Sequence, residues 1–160
     1  MESSSVHNEM LQLVTFKLSG QKYAVDILKV REINNFTEIT YIPDAPPFLE
    51  GVINLRGKVI PVLNLKKKFG FDDTASRDTA KIVIIDIRGV ATGLIVDSVS
   101  DVLRISSDVV ESASSVSANI STDFIAGIAK LTEGLVMILD LNMLLDDHEH
   151  STVLSAANTT

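Results

Sequence analysis

The chain repeats itself, and that repetition constrains its architecture more than any single motif. At an offset of 76 residues, Phe48–Leu55 lies over Phe124–Leu131, and Val59–Leu65 lies over Leu135–Leu141. One Phe, one Gly and three Leu positions are identical, and most of the rest exchange one aliphatic side chain for another. A weaker match at an offset of 69 sets Gly20 over Gly89, Val30 over Val99, Glu32 over Asp101 and Ile33 over Val102. Two matches in the same chain order point to a duplicated unit.

Within each copy the apolar runs are short and rich in β-branched residues, the pattern of strands. Strands are expected over Leu13–Leu18, Lys22–Ile27, Glu38–Ile42, Gly51–Leu55, Val59–Leu65, Ala80–Ile87, Thr92–Val96, Val102–Ile105, Ile125–Leu131 and Leu135–Leu141. Ser19-Gly20, Arg56-Gly57, Arg88-Gly89 and Glu133-Gly134 join several of them, and glycine supplies the positive φ of a tight hairpin. Short helices are expected only at Asn64–Phe69 and Asn142–Asp147. The fold class is mainly β: two five-stranded barrels packed together, each followed by a short helix. A barrel of roughly 65 residues buries too little surface to stand alone, so the two should share an apolar seam, and a terminal strand could cross between them. The expected organisation is a leader over 1–12, one domain over 13–145 and a flexible tail over 146–160. The domain divides into subdomains 13–75 and 76–145, with the break in the polar Phe71–Thr79.

The formal net charge of -7 disfavours a phosphate backbone as partner. The absence of Cys removes disulfides and thiolate chemistry and suits a reducing cytoplasm. The N-terminal residues carry no signal-peptide pattern, and the longest apolar stretch, Lys81–Val96, is broken by Asp86, Arg88 and Gly89. Phosphate-cradling glycine loops, paired zinc-binding histidines and nucleophile elbows are missing from the sequence. His148-Glu149-His150 reads as solvated tail. Asp97 and Asp101, with Ser98 and Ser100, read as a turn that satisfies its own amides. Lys66-Lys67-Lys68 reads as a solvated helix face, and Asp72-Asp73 and Asp146-Asp147 as helix-exit turns. No catalytic residue, metal or cofactor is expected.

What remains is a protein–protein role, for which the repeat is an internal control. Arg56 is matched by Thr132, so the fold itself does not demand arginine at that hairpin tip, and its five-donor head suits an interface. Pro61, matched by Met137, suggests an edge or a bulge. Asp44-Ala45-Pro46-Pro47 is a stiff loop leading into Phe48 that the second copy lacks. Ile27, Val30 and Ile33 form an apolar segment around Glu32, and Val102 is the counterpart of Ile33. Approximate twofold packing would bring these together at an apolar groove fit for a helical partner.

Three stretches carry a resemblance: Tyr23–Ile33, Gly51–Gly57 with Ile60–Val62, and Gly93–Asp97 with Val99–Leu103. Closing on Leu139–Leu141, the chain from about Leu13 to Leu145 resembles the CheW-like family of bacterial chemotaxis coupling proteins. Asn35 and Phe36 stand where relatives often have Gly. The resemblance implies SH3-like barrels and a free-standing cytoplasmic adaptor, without catalysis, that joins chemoreceptor tips to the histidine kinase CheA. It implies receptor contact at Val30, Glu32, Ile33, Arg56 and Val102, and kinase contact at Ile42, Pro47 and Phe48. An adaptor of the same fold in another receptor–kinase circuit, such as twitching motility, is the nearest alternative; a small-ligand barrel or an enzyme is the more distant one.

Overall fold

The computed structural model describes residues 9–72, 78–112 and 124–158. The first half holds β1 (Met10–Leu18), β2 (Gln21–Asp26), β3 (Val30–Asn35), β4 (Leu49–Leu55), β5 (Lys58–Asn64) and the one-turn helix α1 (Leu65–Lys68). The second holds β6 (Lys81–Ile87), β7 (Val90–Val96), β8 (Ser98–Ser106), β9 (Val110–Glu111), β10 (Ile125–Leu131), β11 (Gly134–Leu139) and α2 (Asp147–Ala157). Three of the anticipated links are two-residue hairpin turns in which both residues have positive φ: Ser19-Gly20, Arg56-Gly57 and Arg88-Gly89. That is the type I′ geometry whose twist matches the strands it joins. The fourth link turns through Thr132 and Glu133, and Gly134 is already paired with Leu131.

The strands form a six-stranded sheet, β8-β1-β2-β11-β10-β9, and a five-stranded sheet, β3-β6-β7-β5-β4. The copies therefore exchange strands. β1 and β2 of the first copy are completed by the second copy's β8 to β11, while β6 and β7 of the second are completed by the first copy's β3 to β5. Register confirms the duplication residue by residue. The parallel pair Val62↔Gly93 is matched by Ile138↔Ala24, and the antiparallel pair Val30↔Ile85 by Phe16↔Val99. Even the bulge at Leu49/Gly51 recurs at Ile125/Gly127. The anticipated break at 71–79 thus does not separate two sheets: it lies between β5 and β6, two strands of the same sheet. The crossing involves a strand pair from each copy, where a single terminal strand was anticipated.

Alternation along the strands builds the core in three parts. Val14, Phe16, Leu18, Val83, Ile85 and Ile87 point into one central cluster that both sheets share, with Leu63, Leu94 and Leu139. The intervening residues point to each sheet's own interior: Leu13, Ala24, Val136 and Ile138 in the six-stranded sheet, and Ile60, Val62, Ile82 and Ile84 in the other. Both faces of these strands are thereby covered, which is why runs such as Ile82–Ile85 read as continuously apolar.

Several expectations are corrected. Glu38–Ile42 is not a strand; Thr40 makes an isolated bridge to Val52, and Pro43 follows. The bridge needs Gly51, since a Cβ there would sit 2.1 Å from the Thr40 carbonyl oxygen. Val30–Asn35, read only as an apolar segment, is a strand. Pro61 is in β5, an interior strand rather than an edge; pairing of β5 with β7 begins only at Val62, so the missing amide falls outside that ladder. The tail from 146 is not loose: Asp146 is the entry to α2, in a capping box with Glu149, and α2 buries Val153 and Ala156 in the shared cluster. The anticipated helix at 142–147 is a set of turns leading into it. Most of the leader, with His7, and Asp73 lie outside the described residues.

Because each sheet needs strands from both copies, fragments 1–72 and 78–160 expressed apart should each lack a cooperative thermal transition. Mixed in equal amounts, they should regain strand-rich circular dichroism and a single melt. A fragment that melts cooperatively alone would contradict the exchange.

Candidate functional site

β3 and β8 occupy equivalent places in the duplication, and each is an edge of its sheet. Val30 on β3 and Val99 on β8 pack against the shared core. Ile33 and Val102 do not: 42% of Ile33 and 52% of Val102 remain exposed. A pair of large aliphatic side chains is thus left in water at matched edge positions flanking the seam.

Glu32 sits beside Ile33 on β3, and the β4–β5 hairpin brings Arg56 to it. The Arg56 guanidinium and the Glu32 carboxylate meet two-on-two, Nη2 to Oε2 and Nη1 to Oε1. Arg56 is therefore engaged within the chain rather than free to grip a partner, although its side chain keeps 71% of its exposure. The guanidinium holds the Glu32 carboxyl below the usual carboxylate range. A parallel arrangement one residue away has Arg31 Nη2 at 3.0 Å from Asp86 Oδ2, and with the Gly89 amide it lowers the Asp86 pKa as well. The structure therefore assembles Val30, Glu32, Ile33 and Arg56 on one edge and sets Val102 on the matching edge. The sequence offered no sign that Glu32 and Arg56 would pair; strand alternation in β3 was the missing step.

The second group lies in the loop before β4. Pro43 and Asp44 form a turn, with Asp44 at φ 64° and the Ala45 amide 3.4 Å from the Ile42 carbonyl. Pro47 is exposed, and Ile42 is half-buried against the shared core. Phe48 is only 8% exposed, and Lys68 Nζ lies 5.3 Å from its ring centroid, so its ring supports the loop from below. Tyr41, 74% exposed, stands next to Ile42 and was not singled out from the sequence. An isolated tyrosine between a threonine and an isoleucine carries no periodic signal.

The three lysines of α1 do not form a solvated face. Lys66 is 4% exposed and reaches Asp97 at 3.0 Å, Lys67 reaches Glu50 at 3.3 Å, and Lys68 reaches Glu149 at 2.6 Å. Asp97 also accepts from the Ser19 amide, and Asp101 from the Thr15 hydroxyl, so these two aspartates have long-range partners rather than local ones. Glu149 belongs to a helix contact, not to a tail. Concavities of about 420, 330 and 310 Å³ lie against the six-stranded sheet and its neighbouring turns, none lined by the five edge-site residues. Among the described residues, no helix is long and apolar enough to cross a membrane.

The family model described as the CheW-like domain matches residues 12–149. The chemotaxis protein CheW of Klebsiella aerogenes is 29% identical over 148 residues, 92% of this chain and 89% of the relative. The chemotaxis protein CheW of Bacillus subtilis is 33% identical over 135 residues, 84% and 86% of the two chains. The crystal structure of the scaffolding protein CheW from Thermoanaerobacter tengcongensis superposes with a TM-score of 0.79 at 39% identity. It covers 86% of this chain and 94% of that one.

The Glu32–Arg56 geometry sets a sign for pH dependence. A carboxyl whose pKa is lowered in the folded state contributes stability above its unfolded value, near 4.5, and loses it as pH falls through the lowered value. In a carbon-detected titration Glu32 should titrate below the usual carboxylate range, and Arg56→Ala should return it toward that range. A Glu32 titration unmoved by Arg56→Ala would refute the pairing.

Proposed function

The chain belongs to the CheW-like domain family, and from that membership we propose that it is a chemotaxis adaptor, without catalysis of its own, that couples cytoplasmic chemoreceptor tips to the histidine kinase CheA. The observation that carries the reading is the family match over residues 12–149, which spans both exposed edges of the seam. The receptor tip, an α-helical hairpin, lays an apolar face across Ile33 and Val102, with Val30 forming the floor and Glu32 and Arg56 supplying polar contacts at the rim. Recognition of an amphipathic helix calls for a few aliphatic anchors and a polar border, and both kinds of side chain occur among these five residues. The kinase's regulatory domain meets the loop at Ile42 and Pro47, with Tyr41 beside them and Phe48 as their buried support. Both contacts take place in the cytoplasm, and the protein approaches the membrane only through the receptor.

The mechanism is thermodynamic. Binding both partners converts their encounter into an intramolecular one and raises their effective concentration. Receptor state reaches the kinase only to the extent that the adaptor binds one receptor conformation more tightly than another. The Glu32–Arg56 pair fits such a role: a bidentate pair at a solvated rim is weak enough to be re-formed with a partner's carboxylate or carbonyl.

Reconstitution of receptor fragments with CheA tests the reading, with kinase phosphorylation measured with and without this protein. Ile33→Asp and Val102→Asp place a charge on exposed positions, so the fold should survive while receptor-stimulated phosphorylation falls by roughly tenfold or more. Arg56→Ala should lower it by a smaller factor. Pro47→Asp should weaken CheA binding and leave receptor binding intact. Full stimulation by the folded Ile33→Asp and Val102→Asp variants would reject the receptor site.

A further inference from the structure

The loop that carries Ile42 and Pro47 is tied at its start by the Thr40–Val52 bridge and by Ile42 and Ala45 against the shared core, while its tip is open to water. Tyr41, Pro43, Asp44 and Pro47 are exposed, and its turn closes through a long 3.4 Å hydrogen bond. At its far end the anchor is Phe48, whose carbonyl accepts from the Asn64 amide at 2.7 Å and whose ring lies beneath Lys68. Lys68 is in turn held by a residue from the far end of the chain. Its Nζ lies 2.7 and 2.6 Å from the two carboxylate oxygens of Glu149, in the first turn of α2. Glu149 is itself fixed, because Oε1 accepts from the Asp146 amide at 2.9 Å while its own amide donates to Asp146 Oδ1 at 2.7 Å. One turn of helix, one ammonium and one ring thus link α2 to the loop.

The second copy shows what the fold alone requires here. Lys68 corresponds to Leu144, which is 1% exposed in the shared core. Phe48 corresponds to Phe124, which stacks on Phe69 at 4.5 Å between centroids. An apolar side chain therefore serves at this position in one copy, and the first copy has replaced it with a charge. An ammonium that is largely withdrawn from water needs a counter-charge, and Glu149 supplies it. The exchange makes the loop's footing depend on whether α2 is seated.

We propose that Lys68 and Glu149 are positioning residues for the partner-docking loop around Ile42 and Pro47, so that seating the C-terminal helix sets the loop in its docking shape. The proposal rests on the kinase-docking reading given above. It also distinguishes the two binding faces: the clasp touches the kinase loop and leaves the β3 and β8 edges alone, so it tunes one affinity without the other.

The full-length protein, titrated calorimetrically against the CheA regulatory domain and separately against a receptor cytoplasmic fragment, provides the test. Glu149→Gln keeps a side chain able to cap the helix but removes the counter-charge. It should weaken kinase binding roughly three- to tenfold, leave receptor binding unchanged, and speed amide hydrogen exchange over residues 41–50. Adding Lys68→Leu, the residue of the second copy, should restore both kinase affinity and slow exchange. General loosening of α2 would not be rescued in this way. Unchanged exchange at 41–50 in Glu149→Gln, or failure of Lys68→Leu to restore it, overturns the proposal. Pro47→Asp separates the two ideas: kinase binding that survives it rejects the docking reading, while exchange at 41–50 still decides whether the clasp holds the loop.

Discussion

Two parallel strand pairs hold this molecule in its shape: β2 beside β11, and β5 beside β7. Each joins a strand of one copy to a strand of the other, and no antiparallel hairpin can substitute for either, because neighbouring strands in the chain are already paired. The shared core follows from them. Once the copies are interleaved, the apolar faces of both sheets confront each other across Phe16, Leu63, Ile85, Leu94 and Leu139, all buried to within a few per cent. Burial of this kind is the main favourable term in folding, and it is common property of the two copies rather than of either.

Duplication also explains where this chain was free to specialise. Many positions whose side chains meet a sheet interior stay aliphatic in both copies, as Val62 and Ile138 or Ile60 and Val136 do. Others diverge: Arg56 against Thr132 at a hairpin tip, Glu32 against Asp101 on an edge strand, and Lys68 against Leu144 at the end of α1. Polar residues of the first copy are held by ion pairs that cross between elements, Glu32 with Arg56 within the copy and Lys68 with Glu149 of α2. The symmetric frame carries an asymmetric surface, which is what a coupler of two different partners requires.

Much of the frame was legible because it is written in periodicity. Short aliphatic runs, residue-glycine links and the two offsets lead to the strands, the hairpins and the mainly β class, and family resemblance extends them to the adaptor role. The extent of strand exchange was not legible: the offsets are the same whether a copy folds on itself or swaps strands with the other, and the pairings between copies decide, β1 with β8 and β3 with β6 as well as Val62↔Gly93 and Ile138↔Ala24. The C-terminal helix was missed because Ser151, Thr152 and Ser155 suggest a solvated tail, while its stability comes from a capping box and from Val153 and Ala156, two small apolar residues that land on the core. The burial of Phe48 was hidden for a related reason. Two prolines make the loop look like an outward ridge, and no pattern in the sequence reveals that the next residue turns inward beneath a lysine.

The pairing of β2 with β11 has a temporal side. Lys22 leaves the ribosome more than a hundred residues before its neighbour Val136. At about 5–20 residues per second, the opening hairpin must wait several seconds with one edge unsatisfied. Contacts so distant along the chain are slow to form, because the intervening polymer must be ordered first. A nascent protein of this topology is therefore exposed to stray strand pairing during synthesis, and it reaches its guarded state only as its last strand emerges.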